Sequence, residues 1–231
     1  MIDVNNLNQA SLAKLFDHTL LWAYATKDDF KAFCEESKEM GVGMVAINSY
    51  PVKTCKEFLK GTDIHVGAAI AFPLGQMNIE SKLFETSQAI KDGADEIDYV
   101  LNIAKVKEHD YAYIKDEMEQ MVELCHSQNF IIKVIFENCY LEKTEIKQLA
   151  LIAKEVKPDF IKTSTGFGTG GATIEDVKLM VETVAGEVGV KAAGHIRDWE
   201  TCKTMLELGA TRIGTRSSKI ILEGFKKERG L

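Results

Sequence analysis

Four ionisable residues stand inside short β-branched runs where a packed core would place Val, Ile or Leu: Asp98 in EIDYVLN, Lys133 in FIIKVIFE, Lys162 in FIKTST and Lys191 in VKAAG. Read as strands, these runs sort their side chains with a period of two, and the set that packs on helices must be apolar. Ile97, Tyr99 and Leu101 form that outer set in the first run, which leaves Asp98 and Asn102 pointing inward with Val100. By the same rule Lys133 and Glu137 face inward opposite Ile132, Val134 and Phe136, Lys162 opposite Ile161 and Thr163, and Lys191 opposite Val190 and Ala192. Three lysines and one aspartate therefore converge on one interior, an excess of positive charge unless one amine is neutral. A neutral lysine amine is a nucleophile that forms a Schiff base with a carbonyl carbon. On neighbouring strands ~4.8 Å apart, two ammonium groups come within roughly 6 Å. At an effective dielectric of ~20 their repulsion is ~2.8 kcal/mol, which favours the neutral form. Two structural readings stand beside this one: a buried ion-pair cluster, and lysines whose stems are buried while their heads reach solvent.

The run after Lys162, STGFGTGGAT, holds Gly166, Gly168 and Gly171 in GxGxxG spacing. Dinucleotide binding is a weak reading of it, because the run follows a late strand and no strand-end acid stands ~20 residues on, Glu187 falling in a helical stretch. With Thr165 and Thr169, the same glycines suit an oxyanion cradle of free backbone N–H groups. Gly194, and Gly214 with Ser217 and Ser218, extend that cradle toward a phosphate; an unliganded flexible loop is the plainer alternative. The five histidines show no HxH or HExxH spacing, so no metal is expected. His109 and His126 are expected to face solvent, whereas His18 and His195 sit near strand ends within reach of a ligand.

These residues need a scaffold that gathers strand ends, and the chain alternates short β-branched runs with 3.6-period segments throughout. Strands are predicted near Asp17–Leu20, Met44–Asn48, Val66–Phe72, Glu96–Asn102, Phe130–Glu137, Phe160–Thr165, Val190–Gly194 and Arg212–Thr215. Helices are predicted at Leu7–Phe16, Lys27–Met40, Ile79–Asp92, Tyr111–Gln128, Glu145–Val156, Ile174–Val188 and Trp199–Leu208, several closed by Gly41, Gly93, Gly189 or Gly209. Eight βα units in 231 residues suit a (β/α)8 TIM barrel with an extra N-terminal helix, whose site lies at the C-terminal strand ends; a doubly wound open sheet is the runner-up. With three prolines and no Pro/Gly/Ser-rich linker, residues 1–231 read as one domain.

A composition of 45% hydrophobic and 27% charged residues excludes a disordered or collagen-like chain. The net charge of −7 carries no long basic run, so nucleic acid is not an expected partner. Five scattered cysteines without a CxxC pair argue against a disulfide framework or structural zinc, and fit a reducing cytoplasm. The segment MIDVNNLNQA lacks the regions of a signal peptide, and no stretch approaches the ~18 apolar residues of a membrane span, so no membrane partner is expected.

DHTLL (Asp17–Leu21), FPLG (Phe72–Gly75), GADEIDYVLNI (Gly93–Ile103), KVIFEN (Lys133–Asn138), IKTSTGFGTGGAT (Ile161–Thr173), GVKAAG (Gly189–Gly194) and GATRIGT (Gly209–Thr215) follow one another in an order that resembles the deoxyribose-phosphate aldolase family. The resemblance implies a class I aldolase that reversibly cleaves 2-deoxyribose 5-phosphate into glyceraldehyde 3-phosphate and acetaldehyde, with no cofactor. It also implies Lys162 as the Schiff-base nucleophile, Lys191 as the neighbour that activates it, Asp98 in proton transfer and Lys133 as the group holding Asp98 ionised. The substrate-binding set so implied is Lys133, Thr19, Asn48, Thr165, Gly166, Gly168, Gly194, His195, Gly214, Arg216 and Ser217. A homodimer is implied on the same ground alone. The chain departs from the family pattern at His195, where a second glycine is expected, and at Arg216, where a serine pair should follow GT directly. A positive φ at position 195 would strain a histidine, and Arg216 can supply a bidentate phosphate contact. Trp22 and Ser49 replace a more usual lysine and proline, and KKERGL lacks the terminal tyrosine of some relatives. Two other functions remain open: a non-catalytic barrel binding a phosphorylated ligand, and a Schiff-base aldolase with a different acceptor aldehyde.

Overall fold

The computed structural model describes residues 2–231. Among them, β1 (Phe16–Leu20), β2 (Met44–Asn48), β3 (His65–Ile70), β4 (Glu96–Val100), β5 (Ile131–Ile135), β6 (Phe160–Lys162), β7 (Gly189–Ala193) and β8 (Arg212–Thr215) form one parallel sheet in sequence order. β8 pairs back onto β1 through Phe16 opposite Ile213 and Asp17 opposite Gly214, so the sheet closes and the open doubly wound alternative falls. The helices are α1 (Gln9–Ala13), α2 (Lys27–Met40), α3 (Val52–Phe58), α4 (Ile79–Lys91), α5 (Ile103–Lys107), α6 (Tyr111–His126), α7 (Lys143–Val156), α8 (Ile174–Val184), α9 (Trp199–Glu207) and α10 (Ser218–Arg229). None of the described helices is long and apolar enough to cross a membrane.

Local chemistry explains the punctuation. α2 opens on a Thr26–Asp29 capping box, in which each side chain accepts from the other's backbone N–H, and closes on Gly41 at φ 67°. Gly93 and Gly209 likewise follow helix ends with positive φ, but Gly189 opens β7 instead, and α8 ends four residues before the predicted boundary with Ala185 in the left-handed region. The N-terminal helix is shorter than predicted, because the Asn8–Ser11 capping box starts it late and the chain enters β1 at Phe16. Four strands end earlier than their apolar runs do. The backbone turns left-handed at Ala71 (φ 52°) after β3 and at Glu137 (φ 57°) after β5, and Asn102 beyond β4 caps α5. Asn102 is thus outside the barrel interior, its Oδ1 accepting from Lys105 N at 3.3 Å.

The apolar outer faces sorted from sequence pack under the helices: Ile97, Tyr99, Leu101, Ile132, Val134, Phe136, Ile161, Val190 and Ala192 are buried in one core. The inner faces bring Asp98 opposite Lys133 and Lys162 opposite Lys191 in neighbouring strands.

Candidate active site

Lys162 is the last residue of β6, Lys191 lies mid-strand in β7, and both ammonium groups reach Asp98 Oδ2 on β4, at 2.9 and 2.6 Å. Lys133 on β5 approaches the other carboxylate oxygen, Asp98 Oδ1, at 2.8 Å. All four sequence-derived ionisable residues therefore meet. They are not alone. Asp17 on β1 pairs with Lys191 and, at 2.6 Å, with Arg212 on β8; Glu96 on β4 pairs with Lys133 and, at 3.1 Å, with the same arginine. The cluster holds four cations and three carboxylates, so with every lysine protonated it carries one positive charge in excess. The sequence reading missed Asp17, Glu96 and Arg212, although Glu96 shares the inward parity of Asp98, and Arg212 that of Gly214.

Burial would raise the Asp98 carboxyl, but Lys133, Lys162 and Lys191 overcome it and hold the group well below the usual carboxylate range. Burial also disfavours charge on Lys133, yet Asp98, Glu96 and Asp17 outweigh it and raise that amine above its ordinary value. Lys191 goes the other way. Its burial wins over the attraction of Asp17 and Asp98, Lys162 and Lys133 add repulsion, and the amine is brought down to about 8.

Above the cluster, at the C-terminal ends of the strands, lies a cavity of about 260 Å³. It exists because the inward positions there are small: Ala46 on β2, Gly67 and Ala69 on β3, Ala193 on β7 and Gly214 on β8 all line it. At Gly214 a Cβ would come within 2.9 Å of Ala193 Cβ and 3.1 Å of Lys191 Cε, so glycine lets β8 pass this close to both. Lys162 and Asp98 line the cavity, whereas Lys191 and Lys133 are fully buried behind them. Of the three lysines, Lys162 is the one a ligand can reach.

The other expected binding residues divide. Thr19, Thr165, Gly166, Gly194, His195, Gly214 and Arg216 line the cavity. Asn48 is half-buried at the end of β2 and does not; Gly168 packs toward Cys139 and Glu137, and Ser217 N donates to Thr215 Oγ1 at 2.9 Å ahead of α10. His195 takes φ 63°, the strained conformation expected of a histidine standing where the family pattern has glycine. His18 points away from the cavity, with Nδ1 2.8 Å from Ser218 Oγ and its ring stacked on Phe33. Leu21, Trp22, Phe72, Phe167, Ile196, Arg197 and Thr215 complete the lining, and none of these was singled out as a contact from sequence.

Residues 11–215 match the family model described as DeoC/LacD family aldolase. A deoxyribose-phosphate aldolase of Lactobacillus acidophilus is 59% identical over 214 residues, covering 93% of this chain and 90% of the relative. One of Thermococcus kodakarensis is 46% identical over 224 residues, covering 96% of this chain and all of the relative (100%). Among solved structures, an aldolase named QR15 superposes with a TM-score of 0.89 at 36% identity, over 99% of this chain and 98% of its own. A tetrameric deoxyribose phosphate aldolase from Aeropyrum pernix gives 0.88 at 28% identity, over 96% and 93%. The inward lysines, the closed barrel and these matches agree: the chain belongs to the DeoC/LacD family of aldolases.

Proposed function

We propose that the chain cleaves 2-deoxyribose 5-phosphate reversibly into glyceraldehyde 3-phosphate and acetaldehyde through a Schiff base on Lys162. The observation that carries this reading is a positively overcharged lysine cluster with one amine, Lys162, facing a cavity. Loss of one proton makes the cluster neutral. Both Lys162 and Lys191 touch Asp98 Oδ2, so the missing proton can be the one on Lys162, where a carbonyl can be attacked. The neutral amine adds to the C1 aldehyde, water leaves, and an iminium forms. A base takes the proton of the C3 hydroxyl as the C2–C3 bond breaks, and the electron pair flows into the iminium. Glyceraldehyde 3-phosphate leaves with three carbons. The remaining two-carbon enamine is protonated at C2, and water hydrolyses the iminium to acetaldehyde and free lysine. Asp98, kept ionised by its three lysines, is suited to carry these protons through a water, with Lys191 as the group that exchanges protons near neutral pH.

Backbone N–H groups at Gly166, Gly194 and Gly214, with the guanidinium of Arg216, are suited to hold the phosphate at the cavity mouth, His195 standing beside them. The chemistry calls on no cofactor. We read the chain as one catalytic domain over residues 1–231, working in the cytoplasm, where its five free cysteines would stay reduced, and pairing as a homodimer.

The test is incubation with 2-deoxyribose 5-phosphate and borohydride, followed by peptide mapping. A two-carbon adduct on Lys162 is expected, and a five-carbon phosphorylated adduct marks the step before cleavage. A folded protein that binds the sugar phosphate without forming any adduct would instead be a phosphate-ligand barrel. An adduct formed equally well from unphosphorylated sugars would point to another acceptor aldehyde.

A further inference from the structure

Glu137 has no part in the chemistry above, yet it is held in a costly state. It follows β5 with φ 57°, left-handed for a residue with a Cβ, and its side chain is buried, the residue being 1% exposed. Burial lifts its carboxyl above the ordinary glutamate value against the pull of two Thr165 hydrogen bonds and of Lys162. A buried, strained carboxylate persists where its surroundings over-determine it, and apart from a long contact from Cys139 Sγ at 3.9 Å its partners belong to the loop after β6. Thr165 N donates to Glu137 Oε1 at 3.1 Å, and Thr165 Oγ1 donates to Oε2. Thr165 Oγ1 in turn accepts from Phe167 N at 3.0 Å. Gly168 then folds so close that a Cβ there would lie 3.2 Å from Glu137 Cδ.

The segment so held is a wall of the cavity. Thr165, Gly166 and Phe167 line it beside Lys162. Phe167 packs edge-on against Phe72, ring centroids 5.4 Å apart, and its far side lines a second groove of about 490 Å³ with Leu74 and Tyr140. Phe167 is 56% exposed, so packing alone does little to fix it. What fixes its backbone is the hydrogen-bond chain from Glu137 through Thr165.

We propose that Glu137 is a positioning residue of the aldolase reaction: through Thr165 it holds Gly166 and Phe167 as the wall that presses substrate toward Lys162 and closes the cavity off from the adjoining groove. It rests on the aldolase reading, which wild-type turnover in the same assay tests separately.

The experiment compares Glu137→Gln, Thr165→Val and the double variant. For cleavage of 2-deoxyribose 5-phosphate, Glu137→Gln is expected to raise KM about ten-fold while kcat changes less than about three-fold, with the limbs of the pH profile unmoved. The losses in the double variant should be less than additive, because the glutamate acts through Thr165, whose backbone N–H alone still reaches it in Thr165→Val. Hydrogen exchange at Thr165–Phe167 should quicken in Glu137→Gln while the remaining strands keep their protection, a readout that needs no turnover. Additive losses in the double variant would overturn the proposal, as would unchanged KM and exchange. A fall in kcat with a moved pH limb would make Glu137 a proton carrier instead. Should Glu137→Gln fail to fold, Glu137→Asp, which keeps the charge but shortens the reach, reads out the same quantities.

Discussion

The barrel cluster and the Lys82–Glu117 pair are both groups of charge drawn into the interior, and they differ in two respects. Lys82 on α4 and Glu117 on α6 are each 0% exposed and pair with one another. Lys82 Nζ also donates to Val100 O at 2.8 Å, and Glu117 Oε2 accepts from Asn102 N at 3.0 Å, which ties both helices to the end of β4. One cation meets one anion, and neither lines the barrel cavity. Burial pushes Lys82 down and Glu117 up, both toward the neutral state, with their mutual attraction opposing it. In the barrel, four cations meet three carboxylates and one amine faces a 260 Å³ cavity. Burial of charge is thus shared by a brace and a reaction centre; the unbalanced proton and the open path to one amine separate them.

The sharpest way to break that distinction is Lys162→Met. Turnover should fall by at least about a thousand-fold and borohydride trapping with acetaldehyde should vanish. Because the variant leaves three cations against three carboxylates, its unfolding free energy should hold or rise. A loss of several kcal/mol with turnover retained would make Lys162 a brace like Lys82. The converse holds at the pair. Lys82→Met strands a buried carboxylate and should cost about 3–5 kcal/mol in urea unfolding, while turnover per folded molecule stays within about two-fold. Adding Glu117→Gln, which still accepts from Asn102 N, should recover more than half of that loss. An unrecovered double variant would mean that the lysine stem, not its charge, supplies the stability.

Much of this was legible in the sequence, unevenly. The outer strand faces could be read because a period of two with apolar residues has one physical reading under helices, and four inward charges fell out of the same sorting. Asp17 escaped because the faces of β1 were not sorted; Glu96 and Arg212 open their strands, where an exposed rim is as natural as a buried one, and only the closed geometry turns them inward. The cavity was hidden in what is absent, since Ala46, Gly67 and Ala69 announce no chemistry until lysines stand across from them. α3 and α5, at seven and five residues, are too short for a period to emerge, but Ser218–Arg229 has an apolar stripe of Ile221, Leu222 and Phe225 that could have been read as α10. The brace from Glu137 to Thr165 spans 28 residues of sequence and has no local signature.

The smallest predicted effect tests the proton excess itself, by way of pH. Lys191 is brought down to about 8 in the folded chain from an ordinary 10.5, chiefly by burial. Below pH about 8 the amine is protonated whether folded or unfolded, so it adds no slope there; above about 10.5 it is neutral in both. Between those limits the unfolded chain holds a proton that the folded chain has released, so this group makes unfolding harder as pH rises, by on the order of 3 kcal/mol across the window. Asp98, held low by its lysines, stays ionised throughout that range, so the difference between wild type and Lys191→Met reads the amine. Urea-unfolding free energies from pH about 7 to about 10.5 should climb in the wild type relative to the variant. Wild-type turnover should rise over the approach to pH about 8, as the cluster sheds its surplus proton. Parallel stability curves would show that Lys191 keeps its proton like an ordinary lysine. The barrel cluster would then be a brace of the same kind as Lys82–Glu117, with Lys162 left to find another outlet for its charge.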